Sequence, residues 1–203
     1  MNLLWVISRA TGIVSLVLLT LVVVLGIAVH RQAGSRRTPR FVVAGLHRNA
    51  TLLAVLLVVV HVVTVVADSY VTVSWLDTVV PFLGSYQTFW LGLGTVSLDL
   101  MVLLTVTSLL RHRIPARLWR GIHWLAYLFW PVAMVHAVGI GTDMTTAPGL
   151  AVIAACGLAV LAAGLWRMSA ARAGAPQTRA ETLLRTLREE RHQDSRIRAT
   201  AGR

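Results

Sequence analysis

Five apolar runs, at residues 3–29, 41–67, 90–110, 121–140 and 148–166, constrain this chain more than any other feature. At 1.5 Å per helical residue, each is long enough to cross a hydrocarbon layer about 30 Å thick. Inside such a layer no water is available to the backbone N–H and C=O groups, so each run must be helical. Val and Ile dominate several of them. In water those residues favour strands, but here the length of the run decides. Composition agrees: 56% of the 203 residues are hydrophobic and the mean hydropathy is +0.71, far above an ordinary soluble domain. The expected fold is an all-α membrane protein, a bundle of about five transmembrane helices.

The charges lie between the runs. All 19 basic residues are arginine and the net charge is +11. So basic a chain often binds nucleic acid, but these arginines occupy loops and a tail. A lipid bilayer and no nucleic acid is the expected surrounding. Arg31, Arg36, Arg37 and Arg40 follow the first run, and Arg48 lies just inside the second. Arg111, Arg113, Arg117 and Arg120 separate the third from the fourth, and more arginines follow Trp166. The intervening loops 68–89 and 141–147 carry only Asp68, Asp77 and Asp143 as charges. Basic loops stay cytoplasmic. A multi-pass protein of the cell's inner (plasma) membrane is therefore expected, with its N-terminus outside and its C-terminus cytoplasmic. The first run has no basic residues ahead of it and reads as a retained helix, not a cleaved signal.

Residues 1–168 are expected to form the transmembrane domain and residues 169–203 a basic cytoplasmic tail. In the tail, Leu183, Leu184 and Leu187 share one helical side, with Ile197 further on, and charged pairs such as Glu181/Arg185 occupy the rest. That pattern fits an amphipathic helix on anionic lipid or a partner. Cys156 is the single cysteine and lies in an apolar run. This excludes a disulfide framework, a cysteine iron–sulfur set and a covalent haem motif. No Gly-rich strand–helix fingerprint follows the last run, so a flavin or nicotinamide domain is expected only on a separate protein.

Four of the seven histidines fall inside the apolar runs. His47 and His61 lie 14 residues apart in the second, and His123 and His136 lie 13 apart in the fourth. Each pair spans roughly 20 Å of helix, which puts one histidine near each edge of the bilayer. A neutral imidazole there is costly unless it is ligated or hydrogen-bonded. The second and fourth runs share one direction, so His47 pairs with His123 near the inner face and His61 with His136 near the outer. Helices so furnished can clamp two stacked macrocycles, each iron held by one imidazole from each helix. Two imidazoles per iron leave no open coordination position, which suits electron transfer and not oxygen activation. Fourteen helical steps leave His47 and His61 about 40° apart, but thirteen leave His123 and His136 about 140° apart. A distortion near Pro131 is expected to close that gap.

The run Trp119-Arg120-Gly121-Ile122-His123-Trp124-Leu125-Ala126-Tyr127, the His47-Arg48 start of the second span and the 14/13 spacing resemble the ferric reductase-like transmembrane domain. That superfamily includes NADPH oxidases, eukaryotic ferric reductases and the haem-binding membrane subunit of bacterial methionine sulfoxide reductase. The likeness covers about residues 5–143. It implies two b haems held by His47, His61, His123 and His136 between the second and fourth helices. It also implies electron flow from a cytosolic flavin to an outer acceptor. The chain departs from the pattern in having five spans where many relatives have six, and in lacking the flavin and NADPH domains. An oxidoreductase component is expected, fed by a separate flavoprotein (carrying FAD or FMN) or by a quinol, and delivering to an outer-side acceptor.

Other residues fit this frame. Arg9 belongs near the outer end of the first span, either snorkelling to the surface or against a propionate or the acceptor. Arg48 and Arg120 flank the inner histidines and suit propionates there. Trp124 and Tyr127 flank His123, and Gly12, Gly92 and Gly94 permit close approach of helices or a haem. Asp99 lies mid-span in the third run and calls for a hydrogen bond to a neighbouring helix or a role in proton relay. The aromatic loop 68–89 suits an interfacial belt, a short helix or a lid. Three other functions stay open on the residues alone: a non-redox transporter or proton channel using His61, Asp99 and His136; a haem-binding assembly or sensor protein; and a membrane anchor for a cytosolic partner.

Overall fold

The computed structural model describes residues 3–30, 39–69 and 71–201, with side chains through residue 169 and at 184–189 and 191. Arg31, Arg36, Arg37 and Tyr70 lie outside the described residues, as do the side chains of Glu181, Leu183, His192 and Ile197. Six helices follow in order: α1 Leu3–His30, α2 Arg40–Ala67, α3 Thr88–Leu109, α4 Ala116–His123, α5 Ala126–Ile140 and α6 Ala147–Ala201. Short 3₁₀ turns occupy Leu76–Thr78 and Thr142–Thr145. Prolines set three of the starts. Pro39 and Pro115 each precede a helix in an extended conformation, and Pro148 sits in the first turn of α6, where its missing N–H costs nothing. Five stretches are long and apolar enough to cross a membrane: Leu3–His30, Arg40–Ala67, Thr88–Leu109, Ala116–Ile140 and Ala147–Ser169. The protein is an all-helical, multi-pass membrane protein.

The chain divides into two compact units, Met1–Leu161 and Ala162–Arg203. Within the first, α1 packs chiefly on α2 and α3 on α5, and α1 against α5 joins the two pairs. Leu19, Ala54, Met101, Leu104, Phe129 and Ala133 form the buried core, one or two residues from each of four helices. Ala54 lies seven residues from both His47 and His61, so the core sits at the level between the two histidine depths. Trp130 donates its indole N–H to Thr20 Oγ1 at 3.0 Å and ties α5 to α1. Hydroxyls elsewhere find acceptors inside their own helices: Thr20, Thr51, Thr64 and Ser97 each donate to the carbonyl four residues back. In the second unit Leu184 and Leu187 are exposed, and Arg185 pairs with Glu189 at 3.5 Å.

The distortion of the fourth span lies ahead of Pro131. α5 runs through the proline unbroken, while the chain tightens where α4 meets α5. There Trp124 N–H bonds to the Gly121 carbonyl, Leu125 to Ile122, Tyr127 to Trp124 and Leu128 to Leu125, all i→i+3 contacts. Proline crowds the carbonyl four residues before it, that of Tyr127, and leaves it without its helical donor. The strain is relieved in that preceding turn. A 3₁₀ turn advances about 120° per residue against about 100° in an α-helix. Each tightened residue therefore adds about 20°, which turns His136 back toward the face of His123.

α3 and α5 approach closely at Gly139. Trp90 lies flat on Gly139, so close that a β-carbon there would overlap the indole. Gly139→Ala is expected to destabilise the protein by about 1–3 kcal/mol through overpacking. A lowered melting temperature in detergent measures it, and an unchanged one would show the contact to be adaptable.

Candidate functional site

The backbone of α1 and α3 fixes three of the four intramembrane histidines. His61 Nδ1 donates to the Ser8 carbonyl at 2.7 Å, His47 Nδ1 to the Val22 carbonyl at 3.0 Å and His136 Nδ1 to the Trp90 carbonyl at 2.8 Å. A carbonyl only accepts, so each of these imidazoles carries its proton on Nδ1 and keeps the Nε2 lone pair free. That is the arrangement of a metal-ligating histidine held by a backbone acceptor. α1 serves both histidines of α2 because the helices are antiparallel. Each of the three rings also lies on a glycine of the facing helix: His61 on Gly12, His47 on Gly26 and His136 on Gly94.

His123 is different. Its buried Nδ1 has no partner among the described residues. The ring stacks on Trp119 with centroids 4.9 Å apart and an interplanar angle of 22°. Trp124 and Tyr127, the aromatics singled out beside it in the sequence, are exposed and touch each other instead, at 5.2 Å.

A cavity of about 550 Å³ opens at the end of the bundle that carries the loop 68–89. Its size is that of a cofactor pocket. His61 and His136 line it with Arg9, Phe129 and Asp143. Arg9 stands over the Trp5 ring, 4.2 Å from its centroid, and pairs with Asp143 at 2.5 Å. Its charge is therefore shared at the cavity mouth and is not simply directed to solvent. Arg48 and Arg120, near His47 and His123 in the chain, are both exposed, and Arg120 Nε donates to the Ala116 carbonyl at 3.1 Å. Asp99 is exposed on α3 and forms no hydrogen bond among the described residues, contrary to the interhelical bond expected of it.

The loop 68–89 forms a wall of the cavity through Val71, Val73, Asp77 and Tyr86. It is organised by the buried Asp77, whose carboxylate accepts from the Ser74 N–H at 2.8 Å, while its carbonyl accepts from Thr95 Oγ1 at 2.7 Å. Phe82 holds a left-handed backbone (φ 64°), costly for a bulky side chain. Its ring rests on Gly92, where a β-carbon would collide with it. Trp75, Phe82 and Phe89 are exposed on the same loop.

Gly26, Ser8, Val22 and Trp90 were not singled out by their sequence, and Trp119 only as the first residue of the run around His123. One signal was present: Gly12 and Gly26 are 14 residues apart, as are His47 and His61.

A family model described as the ferric reductase like transmembrane component matches residues 10–134. The chain belongs to this family, which makes it a membrane component of electron transfer in a family that is generally haem-binding. The match includes His47, His61 and His123 and ends just before His136. Comparisons with curated proteins and with solved structures give no match.

The Thr95 hydroxyl fastens the loop to α3. Thr95→Val removes that bond at nearly constant shape, at a cost of about 1 kcal/mol. Faster amide hydrogen exchange confined to the loop around Leu76–Thr78 is the expected outcome; unchanged exchange would show the tether to be idle.

Proposed function

We propose that the chain is the bis-haem b electron-transfer subunit of a membrane reductase. It takes electrons from a cytoplasmic-side donor, a separate flavoprotein or a quinol, and delivers them to an outer-side acceptor. The observation that carries this reading is the set of Nδ1-to-carbonyl bonds on His47, His61 and His136, which leaves Nε2 of each free for a metal. His47, His61, His123 and His136 would hold two b haems, which would supply one-electron carriers at the two depths.

The chain's own residues do the rest. His61 and His136 would hold the outer group in the 550 Å³ cavity, and His47 and His123 the inner one. The core of Leu19, Ala54, Met101, Leu104, Phe129 and Ala133 excludes water between the two levels. Loop 68–89 walls the outer site. Arg9 supplies a positive charge at that site, moderated by Asp143, for a propionate or an anionic acceptor. Arg48 and Arg120 supply the corresponding charge at the inner end. The distribution of arginines supports an outer N-terminus and a cytoplasmic C-terminus in the plasma membrane. On this reading residues 1–168 are the membrane domain, and residues 169–203 a tail that lies on anionic lipid as an amphipathic helix. A proton channel through His61, Asp99 and His136 is disfavoured, because Asp99 is exposed on α3 and is absent from the cavity lining.

Substitution tests the assignment. His61→Ala or His136→Ala should remove one haem and leave the inner centre, and His47→Ala or His123→Ala should do the reverse. Equal haem content in the wild type and all four variants would falsify it. Charge at the mouth gives a second check. Arg9→Gln is expected to lower the outer potential, and Asp143→Asn to raise it, each by tens of millivolts, or roughly 1 kcal/mol for one electron. A redox titration that finds neither shift returns Arg9 to a purely interfacial role.

A further inference from the structure

The three held histidines share one device. The Ser8 carbonyl accepts from His61, and Gly12 lies under that ring four residues on. Val22 and Gly26 do the same for His47, and Trp90 and Gly94 for His136. Helix geometry explains the constant spacing. Cα–Cβ bonds tilt toward the helix N-terminus, so a side chain at i+4 leans back over the carbonyl of residue i and screens it from the side. Glycine at i+4 removes the screen. The carbonyl already receives the N–H of residue i+4, and its second lone pair takes the imidazole proton. A β-carbon at Gly12, Gly26 or Gly94 would stand 3.0, 3.3 or 2.5 Å from the nearest ring atom, so at Gly94 the ring must shift, and at Gly12 and Gly26 it must give by a few tenths of an ångström.

His123 has no such seat. Its Nδ1 and the Nε1 of the stacked Trp119 are both buried without a partner among the described residues. A seated imidazole has its tautomer and ring plane set before a ligand arrives. An unseated one must be ordered on binding, which weakens the site.

We infer that Gly12, Gly26 and Gly94 are positioning residues that seat His61, His47 and His136 as Nδ1–H tautomers, and that the His47/His123 site, seated on one side only, releases its group more readily than the His61/His136 site. The second half rests on the reading that these histidines are haem ligands.

Two measurements on the full chain test this. In the first, haem transfer from the detergent-solubilised protein to apomyoglobin is followed with time. Two phases are expected, the inner several-fold faster, assigned through His61→Ala and His47→Ala, which each retain one centre. Gly94→Ala should accelerate the slow phase and shift the low-spin EPR signal of the outer centre alone. Gly26→Ala, a milder intrusion should Gly94→Ala fail to fold, should accelerate the fast phase. Gly157→Ala, in open space on α6, should alter neither. Equal release rates would overturn the inequality of the sites.

In the second, ¹⁵N NMR of histidine-labelled protein produced without haem reads the tautomers directly. Hydrogen-bonded Nδ1–H signals are expected for His47, His61 and His136 and not for His123, with that of His136 lost in Gly94→Ala. Haem-loaded protein in which neither tautomer nor EPR signal responds to Gly94→Ala or Gly26→Ala would overturn the seats alone. A wild type that binds no haem yet shows the three tautomers would remove the ligand reading, and with it the unequal release, while leaving the seats established.

Discussion

A histidine inside a hydrocarbon layer is costly unless its ring N–H finds an acceptor, and three of the four in this bundle find helix carbonyls. Ser8, Val22 and Trp90 each lend a second lone pair to an imidazole. Much of the architecture follows. α1 has to lie close along α2, because it serves both His47 and His61. α3 has to lie close along α5, because it serves His136, and the reciprocal contacts of His136 on Gly94 and Trp90 on Gly139 hold that pair tightly. What remains between the two pairs is the cavity and the apolar core that forms part of its lining.

The same interaction links the fold to the proposed chemistry. A proton fixed on Nδ1 leaves Nε2 as the ligating atom, and a ring pressed on glycine has little freedom to turn. On that reading the backbone of α1 and α3 is the outer layer of support for the metal ligands, though neither helix contributes a ligand. The cavity mouth is built differently, from charges and a loop. The Arg9–Asp143 pair and the Asp77-centred turn bring α1, the 141–147 segment and the loop 68–89 to one rim, where an outer acceptor would arrive.

Much of this was legible in the sequence, and for physical reasons. The five spans followed from run length alone, because lipid leaves the backbone no other solution. The phase problem of His123 and His136 was legible as well, since thirteen helical steps do not return to one face. Its remedy was expected near Pro131, and the tightened turn lies just ahead of it, at residues 121–128: a proline's clash falls on the carbonyl four residues before it. Gly12 and Gly94 stood out as places of close approach, but Gly26 did not, nor did the carbonyls, because a backbone acceptor carries no mark in the residue that bears it. Trp119 was passed over for Trp124 and Tyr127 because adjacency in sequence does not say which aromatic turns inward. Asp99 was expected inside the bundle and is exposed; one polar residue in an apolar helix does not reveal which face it occupies.

The central claim is that the four intramembrane histidines hold two haems, each between α2 and the α4–α5 span. The most direct test is the haem count and EPR spectrum of the purified wild-type protein. The account predicts two b haems per chain, both low-spin, as two imidazoles on each iron require. A protein that carries no haem when fully supplied with it, or whose haem is high-spin with an open position, would contradict it.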